Sequence, residues 1–109
     1  MKTVQIRRYA LVPDMYDEFL AWWDANMPKL RTQFGFAIEF GYGDRAANEF
    51  VWAVSVDGDQ AEFERRMDPY MGSPERAAVF AENPERMIAS VYTGFVDVVA
   101  DAAAPAHPA

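Results

Sequence analysis

The chain contains no cysteine, which excludes disulfides and thiolate chemistry and leaves the redox compartment open. It has one histidine, His107, near the C-terminal end. A histidine-ligated haem, a His/carboxylate metal centre and a Ser-His-Asp triad therefore each lack an essential residue. The acidic residues are scattered as solvated faces, so neither a metal nor a cofactor is expected. The glycines form no phosphate-cradling loop, and "GYGDRAAN" (41–48) reads as a hairpin turn. Positive charge is in deficit. A net charge of -7 disfavours nucleic acid and anionic membrane surfaces, which both need clustered Lys and Arg. No apolar run is long enough to span a bilayer, and "MKTVQIRRYAL" lacks the apolar core of a signal peptide. The expectation is a cytoplasmic protein with no nucleic-acid or membrane partner.

Apolar material is abundant. Of 109 residues, 51% are hydrophobic and 15% aromatic, enough for one core and a second buried surface. A first strand is expected over 3–11. Pro13 and Asp14 break it, with Asp14 as the expected N-cap of a helix. Tyr16, Phe19, Leu20, Trp23, Met27, Leu30 and Phe34 recur at helical spacing. Pro28 falls inside that stripe and predicts a kink or break near residues 25–28; Gly35 ends the helix. "FAIEFGYGD" (36–44) and "EFVWAVSVD" (49–57) read as a strand pair. Asp59 stands three residues before Glu62 in a capping-box pattern, and Phe63, Met67 and Tyr70 give that helix its buried stripe. Ser73 and Pro74 start a short helix. "NPER" (83–86) repeats the punctuation, and a last strand is expected over 87–99. Residues 1–99 form one domain, and the Ala/Pro-rich 100–109 reads as a loose, dispensable tail.

The order is β-α-β-β-α-β, the ferredoxin-like split βαβ. It predicts an α+β domain: one four-stranded antiparallel sheet with helices on one face. The bare face carries Phe, Val, Tyr and Trp and should not stay in water, so a homodimer through the sheets is expected.

Particular stretches carry a family resemblance. "VQIRRYALVPDMYDEFLAWW", with Ile6-Arg7-Arg8-Tyr9 as its core, is similar to the opening of NIPSNAP proteins. "LRTQFGF" (30–36), "EFVWAVSVDGD" (49–59) and "YMGSPERAA" (70–78) resemble later family segments in the same order, so the resemblance covers about residues 4–80. Arg76 is a departure, standing where the family often has an aromatic after Pro-Glu. A pocket wall built from that aromatic is not carried over. The resemblance implies a dimeric α+β barrel, in a superfamily that includes antibiotic-biosynthesis monooxygenases, muconolactone isomerases, polyketide cyclases and haem-binding dye peroxidases. Membership fixes fold better than chemistry.

Two site readings follow. Strand alternation sorts Val4, Ile6, Arg8 and Ala10 onto one face and Gln5, Arg7, Tyr9 and Leu11 onto the other. The first row is the more apolar and is expected against the helices. Arg7 then enters the face a partner sheet covers. There it reaches over the small Ala53 and Ser55 toward Glu39, with Tyr9, Ser90 and Tyr92 nearby. In this reading Arg7 binds an anionic or enolate oxygen, Glu39 is the base and Tyr9 assists. The same residues also read as a buried ion pair that registers two sheets, a common device at such interfaces. The second pocket lies between sheet and helices, lined by Trp22, Trp23, Trp52, Phe19, Phe63, Met67 and Tyr70. An aromatic stripe of this kind more often makes plain core, but adjacent Trp22 and Trp23 widen the apolar face beyond a normal stripe. The expected function is a small cofactor-independent enzyme acting on a hydrophobic or aromatic molecule by oxygenation, isomerisation or cyclisation. The alternative is a non-catalytic ligand-binding or protein-interaction module of the same fold.

Overall fold

Side-chain caps set two of the helix starts. Asp59 accepts a hydrogen bond from the Glu62 backbone N–H at 2.9 Å, and Ser73 accepts one from Arg76 N–H at 3.1 Å with Pro74 next in the chain. The structure is a computed structural model that describes residues 1–100. The tail expected to be dispensable, with His107, lies almost wholly outside the described residues. The elements are β1 Lys2–Leu11, α1 Tyr16–Gln33, β2 Ala37–Asp44, β3 Glu49–Asp57, α2 Gln60–Met71, α3 Pro74–Phe80, a 3-10 turn Pro84–Met87 and β4 Ile88–Val96. The sheet order is β2-β3-β1-β4, with every pair antiparallel. This is the expected ferredoxin-like α+β domain, with helices on one face of an open four-stranded sheet. None of its helices is long and apolar enough to cross a membrane among the described residues.

Two local expectations are corrected. Asp14 does not cap α1. The Met15 N–H bonds the Val12 carbonyl, so Pro13 and Asp14 form a tight turn, and Asp14 takes the left-handed φ of 70°. The helix begins two residues later, with Met15 at the cap position and no side-chain bond. Nor does Pro28 break α1, which runs on to Gln33, so of the expected kink or break the break does not occur. Phe19, Trp23, Met27 and Leu30 are buried on both sides of the proline. Each such side chain contributes roughly 1.5–3 kcal/mol, which offsets one missing hydrogen bond.

The inward face of β2 carries glycine where α1 comes close. A Cβ on Gly41 would lie 2.7 Å from the Trp23 ring, so only glycine lets that ring seat on the sheet.

The larger correction concerns the faces. Gln5, Arg7, Tyr9 and Leu11 face the helices, together with Phe50, Trp52, Val54 and Val56 of β3. The row Val4, Ile6, Arg8 and Ala10 lies on the open face. The decisive strand is β3, not β1. Its aromatic row Phe50 and Trp52 is far bulkier than Val51, Ala53 and Ser55, and the antiparallel register puts Tyr9 and Arg7 opposite that row.

Candidate functional site

Between the sheet and the helices lies a cavity of about 360 Å³, within the usual range for small-molecule sites. Arg7, Tyr9 and Trp52 form its floor from β1 and β3. Met27 and Arg31 come from α1, Tyr70 from α2, and Arg76 and Phe80 from α3.

The floor holds a hydrogen-bonded chain. Arg7 Nε donates to Tyr9 Oη at 2.9 Å, and Arg7 Nη1 donates to Gln5 Oε1 at 3.2 Å. All three residues share a face because they sit two apart on β1. The Arg7 guanidinium also stands 5.7 Å from the Trp52 ring centroid.

Arg31 is the most buried charged group among the described residues, only 3% exposed. It lies 4.2 Å from the Tyr70 ring centroid, 4.9 Å from that of Phe36 and 5.3 Å from that of Trp52. Among the described residues its one hydrogen bond runs from Nη1 to the Met67 sulfur at 3.3 Å, a weak acceptor, and its Nε is buried without a partner there. Burial, first of all, pushes its pKa down to about 10; the nearby Tyr70 ring opposes this, while Arg7 and Arg76 add to it. It remains cationic at neutral pH. Arg76 completes the group, 4.1 Å from the Phe80 centroid and 5.6 Å from that of Tyr70, with its Nε likewise buried and unpartnered.

The residues expected from sequence divide between two faces. Arg7, Tyr9, Trp52 and Tyr70 come together in the cavity. Trp22 and Trp23 are in the apolar packing instead. Trp23 lies against Phe50 and Trp52, and Trp22 between Phe19 and Phe80. Glu39, Ser55 and Tyr92 are on the open face of the sheet. The expected Arg7–Glu39 pair therefore does not form, because the sheet itself separates the two. Glu39 accepts from Lys2 Nζ at 2.9 Å and from Ser55 Oγ at 2.6 Å, helped round by a register shift between Ile38 and Phe40. Ser90 and Tyr92 belong to the open-face row of β4, opposite Ala10 and Arg8.

Neither Arg31 nor Arg76 is among the site residues expected from the sequence. A signal for Arg31 existed. It is four residues after Met27 and eight after Trp23, squarely in the apolar stripe of α1, where a charge is out of place. Arg76 was visible only as the departure after Pro-Glu.

No protein-family model matches the chain, and no curated protein matches it. Solved structures do. A NIPSNAP domain protein from Burkholderia xenovorans superimposes with a TM-score of 0.76 at 18% identity, covering 97% of this chain and 100% of that one. A NIPSNAP family protein from Agrobacterium tumefaciens gives a TM-score of 0.77 at 10% identity, covering 88% and 91%. A Chloroflexus aurantiacus protein provisionally described as an antibiotic biosynthesis monooxygenase gives 0.65 at 11% identity, covering 88% and 91%. At such identities the likeness speaks for the fold. The resemblance read from the sequence is thus borne out at the level of architecture: over nearly its whole length this chain has the fold of the NIPSNAP domain proteins.

Proposed function

We propose that this chain binds a small hydrophobic or aromatic molecule in the cavity between sheet and helices and turns it over without a cofactor. The observation that carries this reading is the Arg7–Tyr9 hydrogen bond on the floor of an aromatic-walled cavity. Tyr9 Oη accepts from a guanidinium, so its own proton is directed to another acceptor. Among the described residues it has none. A substrate oxygen seated there would accept a hydrogen bond from the Tyr9 hydroxyl, and the adjacent cations would stabilise negative charge developing on it, with substrate protons exchanged with water. Isomerisation, cyclisation and oxygenation of an electron-rich ring all pass through such an oxyanion. Similarity in fold to a protein provisionally described as a monooxygenase agrees with that range without choosing within it.

The reading takes the working unit as a homodimer in the cytoplasm. The open sheet face leaves Tyr42 63% and Tyr92 58% exposed, with Tyr42 stacked on Phe40 at 4.9 Å between centroids. An apolar face of this kind is best covered by a second copy.

One observation favours a non-catalytic ligand-binding module instead: Glu39, the expected base, is on the wrong face. A two-part experiment separates the readings. Titration with 2-naphthol, a neutral aromatic, should quench tryptophan fluorescence saturably, and less so in a Trp52→Phe variant. Ketonisation of enol-phenylpyruvate, followed by ultraviolet absorbance, should be accelerated, and Tyr9→Phe should slow it by roughly a hundredfold or more. Saturable binding with no turnover of this or any other enolisable aromatic would favour the binding module. Absence of saturable binding would sink both readings.

A further inference from the structure

We propose that the cavity between sheet and helices selects an anionic molecule, an apolar aromatic body whose carboxylate or phosphate head group is held by Arg31 between Arg7 and Arg76. This rests on the reading of that cavity as the ligand site and adds the charge class to it.

Three guanidinium groups converge here in a chain of net charge -7. Arg31 is central. It shares the Trp52 ring with Arg7 and the Tyr70 ring with Arg76. Ion pairs elsewhere are formed readily: Arg45 with Asp17, Arg65 and Arg66 with Glu62, Arg86 with Glu18. The three cavity arginines form none among the described residues. Glu85, the one acidic residue of the lining, is exposed and pairs with none of them.

The unpartnered groups are all of one kind. Among the described residues five buried N–H donors lack an acceptor: Trp22 Nε1 and Trp23 Nε1 lie in the apolar packing, while Arg31 Nε, Arg76 Nε and Trp52 Nε1 belong to residues of the cavity lining. Buried polar groups are ordinarily satisfied, and several like-signed donors left open in one place mark the position of an absent acceptor. Ring faces compensate the positive charge in part, but they do not occupy the N–H forks in the guanidinium plane. A planar or tetrahedral oxyanion does, through paired charge-assisted hydrogen bonds. Placing three like charges together with no anion opposes folding, so the arrangement makes physical sense as a preformed anion site. Tyr70, Phe80, Met27 and Ile88 leave an apolar wall for the rest of the molecule.

Calorimetric titration with 2-naphthoate, 2-naphthyl phosphate and 2-naphthamide tests this on the full chain. The three probes share a ring system and differ in head-group charge. At least one anion should bind about tenfold to a hundredfold tighter than the amide, as one or two charge-assisted hydrogen bonds imply. Whichever anion is tighter assigns carboxylate or phosphate. Arg31→Met and Arg76→Met should each reduce that preference, and the half-buried Arg76 serves if Arg31→Met does not fold. Equal affinity for all three probes overturns the charge class while leaving the cavity as a binding site. A preference that survives in the folded variants also overturns it. Failure of all three probes to bind overturns the reading of the cavity, and this inference with it.

Discussion

Arg31 stands 4.2 Å from the centre of the Tyr70 ring with no carboxylate partner among the described residues, although it is only 3% exposed. The cation is held by ring faces and one weak bond to the Met67 sulfur, and its stability consequences differ from those of a buried ion pair. Breaking such a pair costs about 3–5 kcal/mol, because the partner charge is stranded. Arg31→Met strands nothing and keeps most of the volume. Urea denaturation should show a loss below about 1 kcal/mol, or a gain. A loss as large as that of a broken pair would mean that Arg31 is chiefly a structural brace.

The same group gives a pH signature with a definite sign. Its pKa is lowered to about 10 in the folded chain, by burial above all. Below about 10 both folded and unfolded states hold the proton. Above it the folded state releases the proton first, so the unfolded state binds more, and stability at this site rises with pH up to the ordinary guanidinium range. The stability of wild type relative to Arg31→Met should therefore improve as the pH is raised through about 10. Tyr70 and Tyr9 interact with Arg31 electrostatically, so the comparison is made in a Tyr9→Phe, Tyr70→Phe background. A constant difference across that range would contradict the burial argument.

Arg7 and Glu39, on opposite faces of the sheet, should be energetically independent. A double-mutant cycle with Arg7→Met and Glu39→Gln should give coupling near zero, within about 0.5 kcal/mol. Lys2→Met with Glu39→Gln should couple weakly, at about 0.2–1 kcal/mol, as a half-exposed pair does. Coupling above about 1 kcal/mol between Arg7 and Glu39 would require the faces to be reversed.

Gly41→Ala should destabilise by about 1–3 kcal/mol, because the added methyl would meet the Trp23 ring at 2.7 Å and that ring is wedged against Phe50 and Trp52. Thermal melts of the single variant and of Gly41→Ala with Trp23→Leu check this. The second change should return part of the loss.

The open face predicts association. Light scattering at micromolar concentration should give twice the mass of one chain, and Tyr92→Glu should shift it toward one. A stable monomer for the wild type would leave Tyr42 and Tyr92 as ordinary surface residues.

Local patterns carried the architecture. β3 and the helix starts at Asp59 and Ser73 follow from residues that act within a turn of themselves, and the element order alone implies the sheet order. Alternation also showed that Arg7 and Arg8 part company, because the pleat leaves no other choice. It could not say which of the two faces the helices. That was decided by β3, whose Phe50 and Trp52 outweigh Ala53 and Ser55, acting on β1 through a register formed across some forty residues of chain. The site followed the same course. Arg7 and Tyr9 could be named from their own strand, but Arg31 and Arg76 enter it only when α1 and α3 pack over Trp52 and Tyr70. Sequence periodicity records which side of an element is apolar; only the packed tertiary structure decides which charges that side takes in with it, because burial of a charge is a property of its neighbours and not of its own segment.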